Sequence, residues 1–114
     1  MSMAADVVDA QIEAYRARDV ERFLSCYAEN ASVVLFDRTP MFADKQVMRE
    51  QYGQLFADSP GLHLTIANRM AAGEFVVDEE HVSGLHFGDM PAEMTALSIY
   101  RVTGGKIARL MLLF

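Results

Sequence analysis

The chain has 114 residues, 52% of them hydrophobic and 23% charged, which is enough for one hydrophobic core in a single domain spanning 1–114. A formal net charge of −6, with no Lys/Arg cluster, excludes both the phosphate-neutralising surface of a nucleic-acid binder and the basic patch that anionic membranes attract. Cys26 is the one cysteine, Asp6 and Asp9 stand where a signal peptide would be apolar, and no apolar run reaches spanning length, so a cytoplasmic protein is expected.

Val8, Ile12 and Tyr15 recur at i, i+4, i+7, and Val7 and Ala14 widen that stripe, predicting a first helix over 4–17. Arg18-Asp19 breaks it. Asp19 is a good N-cap, since its carboxylate accepts the unpaired N–H groups of the next turn, and Val20, Phe23, Leu24 and Tyr27 then form the stripe of a short second helix. A turn is expected at Glu29-Asn30, followed by a β-rich run over 32–36. Pro40, Pro60 and Pro91 are all expected in loops. A third helix is predicted over 44–57, with Met48, Tyr52, Leu55 and Phe56 inward.

From Leu62 the period changes to two. Leu62, Leu64, Ile66, Asn68 and Met70 share one strand face, Ala72-Gly73-Glu74 reads as a turn, and 75–87 reads as the returning strand of a hairpin. A second hairpin joins 93–102 to 106–114 through Gly104-Gly105, residues able to take positive φ. Helices first and consecutive strands afterwards predict an α+β fold, a cone-shaped curved antiparallel sheet packed on N-terminal helices in the order α-α-β-α-β-β-β-β. The cone encloses an apolar cavity suited to a small hydrophobic molecule.

Asp78 and Glu80 are two apart and leave one strand on the same side. In an apolar cavity such a carboxylate becomes an acid or base near neutral pH; facing solvent, it would pair with Arg69 across the hairpin. Asp37 shares the face of Leu35 if that strand persists, as a displaced base at the cavity mouth or as half of a solvated Asp37-Arg38 pair. Tyr15 and Tyr100 are expected to point hydroxyls inward, with Ser98 on the side of Tyr100, whereas Tyr27 and Tyr52 are expected in the core. Asn68 orients a ligand or satisfies a buried partner. Leu112 and Phe114 of the last strand complete the expected lining. His63, His81 and His86 lack metal-ligand spacing, Cys26 reads as packing, and the eight methionines suit a lining tolerant of varied shapes. No phosphate loop, nucleophile elbow or dinucleotide fingerprint is present, so neither cofactor nor metal is expected.

Ala17-Arg18-Asp19-Val20, the run Phe23 to Val33, Val47 to Tyr52, and Tyr100-Arg101-Val102 followed by Gly104 to Ile107 together resemble the nuclear transport factor 2-like superfamily, which includes ketosteroid isomerases and SnoaL-like polyketide cyclases. The resemblance implies a cystatin-like fold, a homodimer through the outer face of the sheet, and a pocket for acid–base chemistry of isomerase, cyclase or dehydratase type without metal. A ligand carrier and a dimeric interaction module are the alternatives. Matching the Val82-Ser83-Gly84 end of its strand to the family turns Asp78 and Glu80 toward the cavity. Ketosteroid isomerases use an aspartate base with a tyrosine and a protonated aspartate; here the tyrosine, base and protonated-aspartate positions fall at Gln11, Leu35 and Ser98, so that mechanism is not expected. Limonene-epoxide-hydrolase-like members hold an arginine between two aspartates, and no such set is apparent on these strands.

Overall fold

A computed structural model of the protein describes residues 3–37 and 39–114. Helix α1 (Met3–Arg16) and helix α2 (Val20–Ser25) are followed by β1 (Tyr27–Leu35), β2 (Pro40–Phe42), α3 (Lys45–Asp58), β3 (His63–Ala72), β4 (Phe75–Ser83), β5 (Met94–Thr103) and β6 (Lys106–Leu113). The helices lie where the apolar stripes require, and their starts are capped as aspartates dictate. Asp19 accepts from Arg22 N and Asp44 from Val47 N, each at a helix N-terminus whose first N–H groups have no partner within the helix.

The strands form one curved six-stranded sheet in the order β2-β1-β6-β5-β4-β3, and the fold is α+β. β3 to β6 form an antiparallel meander, while β1 runs parallel to β6. One face of this sheet closes on the three helices. Phe23 is the hub of the packing, with ring centroids 4.5 Å from Tyr52, 5.2 Å from Tyr27, 5.8 Å from Phe56 and 6.0 Å from Tyr15.

The strands depart from expectation in four places, each for a local reason. Glu29 and Asn30 do not turn the chain; they lie within β1, where the register against β6 jumps between Tyr27 and Ser32 and absorbs the extra residues as an irregularity. Lys45 secures that stretch, its Nζ donating to Tyr27 O and to Glu29 Oε1. Pro40 opens β2 rather than lying in a loop, a position at the start of an edge strand that costs no ladder hydrogen bond. β4 ends at Ser83 instead of reaching Phe87, because Gly84 turns the chain at φ +69° and its backbone passes Gly61 so closely that a Cβ would lie 2.1 Å from Gly61 O.

The fourth departure matters most for the site. β3 carries a bulge between Ile66 and Asn68, and a one-residue slip moves every later side chain to the other face. Leu64 is buried, but Asn68 and Met70 point to solvent, and Arg69 takes the inward side.

Candidate functional site

The inner wall of the sheet and the helices enclose a cavity of about 90 Å³. Met41, Phe87, Met90, Met94, Leu112 and Phe114, each half-buried or exposed, mark its mouth. Its depth is formed by Glu80, Ser98 and Tyr100 of the sheet, Gln11 and Tyr15 of α1, Tyr27 of β1, and Phe23 and Tyr52.

Glu80 is the charged residue of this lining and is only 6% exposed. Strand alternation places Ser98 and Tyr100 on the inner face of β5, one strand away. The Ser98 hydroxyl donates to Glu80 Oε1 at 2.8 Å and the Tyr100 hydroxyl to Oε2 at 3.2 Å. Burial pushes the Glu80 carboxyl up to about 7; the charge of Asp78 acts in the same direction, while the Ser98 and Tyr100 hydrogen bonds and Arg69 oppose it. The carboxyl therefore changes charge near neutral pH, the range in which a single group both takes and returns a proton.

Four phenols surround it. The pKa values of Tyr15, Tyr27, Tyr52 and Tyr100 are all pushed well above the ordinary phenol value, first by burial, with the Glu80 charge contributing to each. All four thus remain protonated hydrogen-bond donors at neutral pH. Tyr27, expected only to pack, donates to Gln11 Oε1 at 3.1 Å, and both Tyr27 and Tyr52 line the cavity while belonging to the core. Tyr15 is held by edge-on packing against Phe56 at 5.3 Å.

Asp78 leaves β4 on the same side as Glu80 and is fully buried, yet the cavity does not reach it. Arg69 lies directly opposite and grips it with two hydrogen bonds, Nε to Oδ1 at 2.6 Å and Nη2 to Oδ2 at 2.9 Å. The third arm of the guanidinium reaches Asp9 Oδ1 of α1 at 2.5 Å. The pairing with Arg69 considered for both carboxylates therefore holds for Asp78 alone. An arginine between two aspartates exists after all, hidden from the strand pattern because Asp9 lies on a helix and the β3 bulge turns Arg69 inward; none of the three lines the cavity.

Other expected site residues lie elsewhere. β1 ends at Leu35, and Asp37 sits exposed beyond it, accepting from Thr39 N at 3.0 Å, bonds to Thr39 that hold its carboxyl below the usual range. Its supposed partner Arg38 lies outside the described residues. Leu35 and Asp37 face a separate surface groove with Phe36, Leu112, Leu113 and Phe114 rather than the cavity. Asn68 is exposed and donates to Glu79 Oε1 at 2.8 Å, so it neither enters the cavity nor satisfies a buried group. Leu112 and Phe114 do line the cavity. Met94 and Ala96 line it too, and their signal was present in the sequence, since they alternate with Ser98 and Tyr100. Phe87 lines it from a loop, which no period could reveal. Among the described residues no group of three or more His, Cys, Asp or Glu is placed to hold a metal, and no helix is long and apolar enough to cross a membrane.

The SnoaL-like domain family matches residues 8–110, and the chain belongs to that family. Solved structures share its fold across nearly the whole chain. A cystatin-fold protein from Novosphingobium aromaticivorans is 24% identical, with a TM-score of 0.87 over 100% of this chain and 99% of that one. A SnoaL-like polyketide cyclase, so described, from Jannaschia sp. is 11% identical, with a TM-score of 0.80 over 97% of this chain and 84% of its own. A protein with a ketosteroid isomerase-like fold from Catenulispora acidiphila, solved with trimethylamine, is 16% identical, with a TM-score of 0.74 over 95% and 84%. At these identities the likeness is one of fold. No curated protein matches the sequence.

Proposed function

We propose that the protein binds a small, largely apolar molecule in this cavity and performs acid–base chemistry on it of the isomerase or cyclase type, with Glu80 as the catalytic base and acid. The observation that carries the reading is a buried carboxyl poised near neutral pH and held by two hydroxyls at the inner end of an apolar cavity. Glu80 takes a proton from the carbon next to a substrate carbonyl. A protonated phenol such as Tyr15 donates a hydrogen bond to the oxygen as enolate charge develops, and Glu80 then returns the proton to the same or another carbon. This differs from the ketosteroid isomerase arrangement, since the corresponding base position, Leu35, lies outside the cavity. A solved structure described as a SnoaL-like polyketide cyclase supports the cyclase-type reading. The compartment proposed is the cytoplasm, where Cys26 stays reduced.

We also propose a homodimer through the outer face of the sheet, supported by exposed Met70, Phe75 and Leu97 on β3, β4 and β5. The test of function is exchange of the α-protons of cyclopentanone with deuterated water, followed by NMR. Wild type should accelerate exchange, and Glu80→Gln should lower the rate by about 10²–10⁴-fold, the contribution typical of a positioned acid–base group. Unchanged exchange in Glu80→Gln would remove the assignment. A second reading, a non-catalytic carrier, is favoured by both Glu80 oxygens already accepting hydrogen bonds; it predicts stable ligand retention with no exchange by either protein.

A further inference from the structure

We infer that the cavity selects compact organic cations, taking the protonated nitrogen of a small alkylamine against Glu80 and its alkyl groups against the surrounding rings. The inference rests on the cavity being the ligand site, though not on turnover by Glu80. Three observations carry it.

The first is charge. Glu80 is the one ionisable carboxylate of the lining, and no Lys, Arg or His stands among the described lining residues. Its two oxygens accept from the neutral hydroxyls of Ser98 and Tyr100. Arg69, the guanidinium that acts on it from β3, is fully engaged with Asp78 and Asp9. In a poorly solvated site a lone carboxylate attracts a cation and repels an anion far more strongly than it would in water.

The second is the wall. Tyr15, Phe23, Tyr27, Tyr52 and Tyr100 bring aromatic rings to the depth of the cavity around Glu80. Aromatic rings stabilise a neighbouring ammonium and its polarised alkyl groups, and they do so best where water is excluded. A carboxylate among rings thus serves both the charge and the substituents of an amine.

The third is size. About 90 Å³ admits a compact head group, and the softer lining of Met41, Met90 and Met94 leaves adaptable space for a substituent directed outward.

The experiment compares cyclopentylammonium, cyclopentanol and cyclopentanecarboxylate by calorimetric titration at pH 8, where Glu80 is mostly ionised. The ammonium should bind at least tenfold more tightly than the alcohol, with the carboxylate weakest. Glu80→Gln, nearly the same shape, should abolish the preference for the ammonium. Tyr15→Leu, which removes a ring but keeps an apolar side chain, should weaken the ammonium more than the alcohol. Equal affinities, a preference that survives Glu80→Gln, or no binding by any of the three would overturn the inference. Cyclopentanone exchange is read separately. Glu80-dependent exchange without ammonium preference would remove this inference and keep the proposed chemistry, whereas ammonium preference without exchange would do the reverse.

Discussion

Asp78 and Glu80 stand two residues apart on one strand, project to the same side and are both buried, yet their surroundings give them different work. Asp78 meets a cation in the fold itself, a guanidinium directly across the hairpin that also holds α1 through Asp9. Glu80 meets two neutral hydroxyls and an apolar cavity. The same residue chemistry thus becomes a structural clamp where its charge is matched and a proton-transfer candidate where it is not. The partner's location decides the role. The charge of Asp78 helps keep the Glu80 carboxyl high, and the charge of Arg69 restrains it.

The largest effect that would sharpen this contrast is on stability. Arg69→Met should leave Asp78 buried without its partner and cost about 3–5 kcal/mol of unfolding free energy in denaturant titration. A loss below 1 kcal/mol would mean that the clamp is not structural.

The pH dependence of stability should reveal the Glu80 carboxyl next. A carboxyl raised from 4.5 unfolded to about 7 folded binds its proton more tightly in the native state. Its stabilising contribution is complete below pH 4.5 and is lost as pH rises to and through 7, on the order of 3 kcal/mol in all. Glu80→Gln should flatten that part of the stability curve, measured by urea unfolding between pH 4.5 and 8. If wild type and variant have parallel curves, the buried carboxyl is not the titrating group.

A smaller effect concerns the hydroxyls. Tyr100→Phe deletes a hydrogen bond that favours the charged form of Glu80, so the carboxyl should titrate still higher, by roughly one pH unit. Carbon-detected NMR of the side-chain carboxyl reads that shift directly, and a downward movement would contradict the assigned donor. Asn68→Ala should be the smallest, within about 0.5 kcal/mol and without effect on ketone exchange, since the side chain is solvent-facing and bonds Glu79 outside the cavity.

Much of this architecture was legible from residue pattern. Helical stripes, the Asp19 cap and both hairpins are local properties, and local chemistry placed them within a few residues. The inward face of β5 was equally readable from the alternation of Ser98 and Tyr100. Asn68 was misplaced because alternation was carried through a bulge that leaves no mark in composition. Asp37 was misplaced because the strand was carried past its end into a turn, whereas Leu35, the last residue of that strand, lies against the surface groove beside Phe36 and Leu113.

The sequence by itself determined the fold class and that a carboxylate pair would share one strand face, because periodicity and capping depend on neighbours a few positions away. Only the tertiary structure decided which carboxylate meets a cation and which meets the cavity. That choice rests on a helix residue 60 positions from Arg69, on a single extra residue in β3, and on the packing of α1 against the sheet. Charge compensation acts through space, and the chain must fold before a side chain acquires the neighbours that set its chemistry.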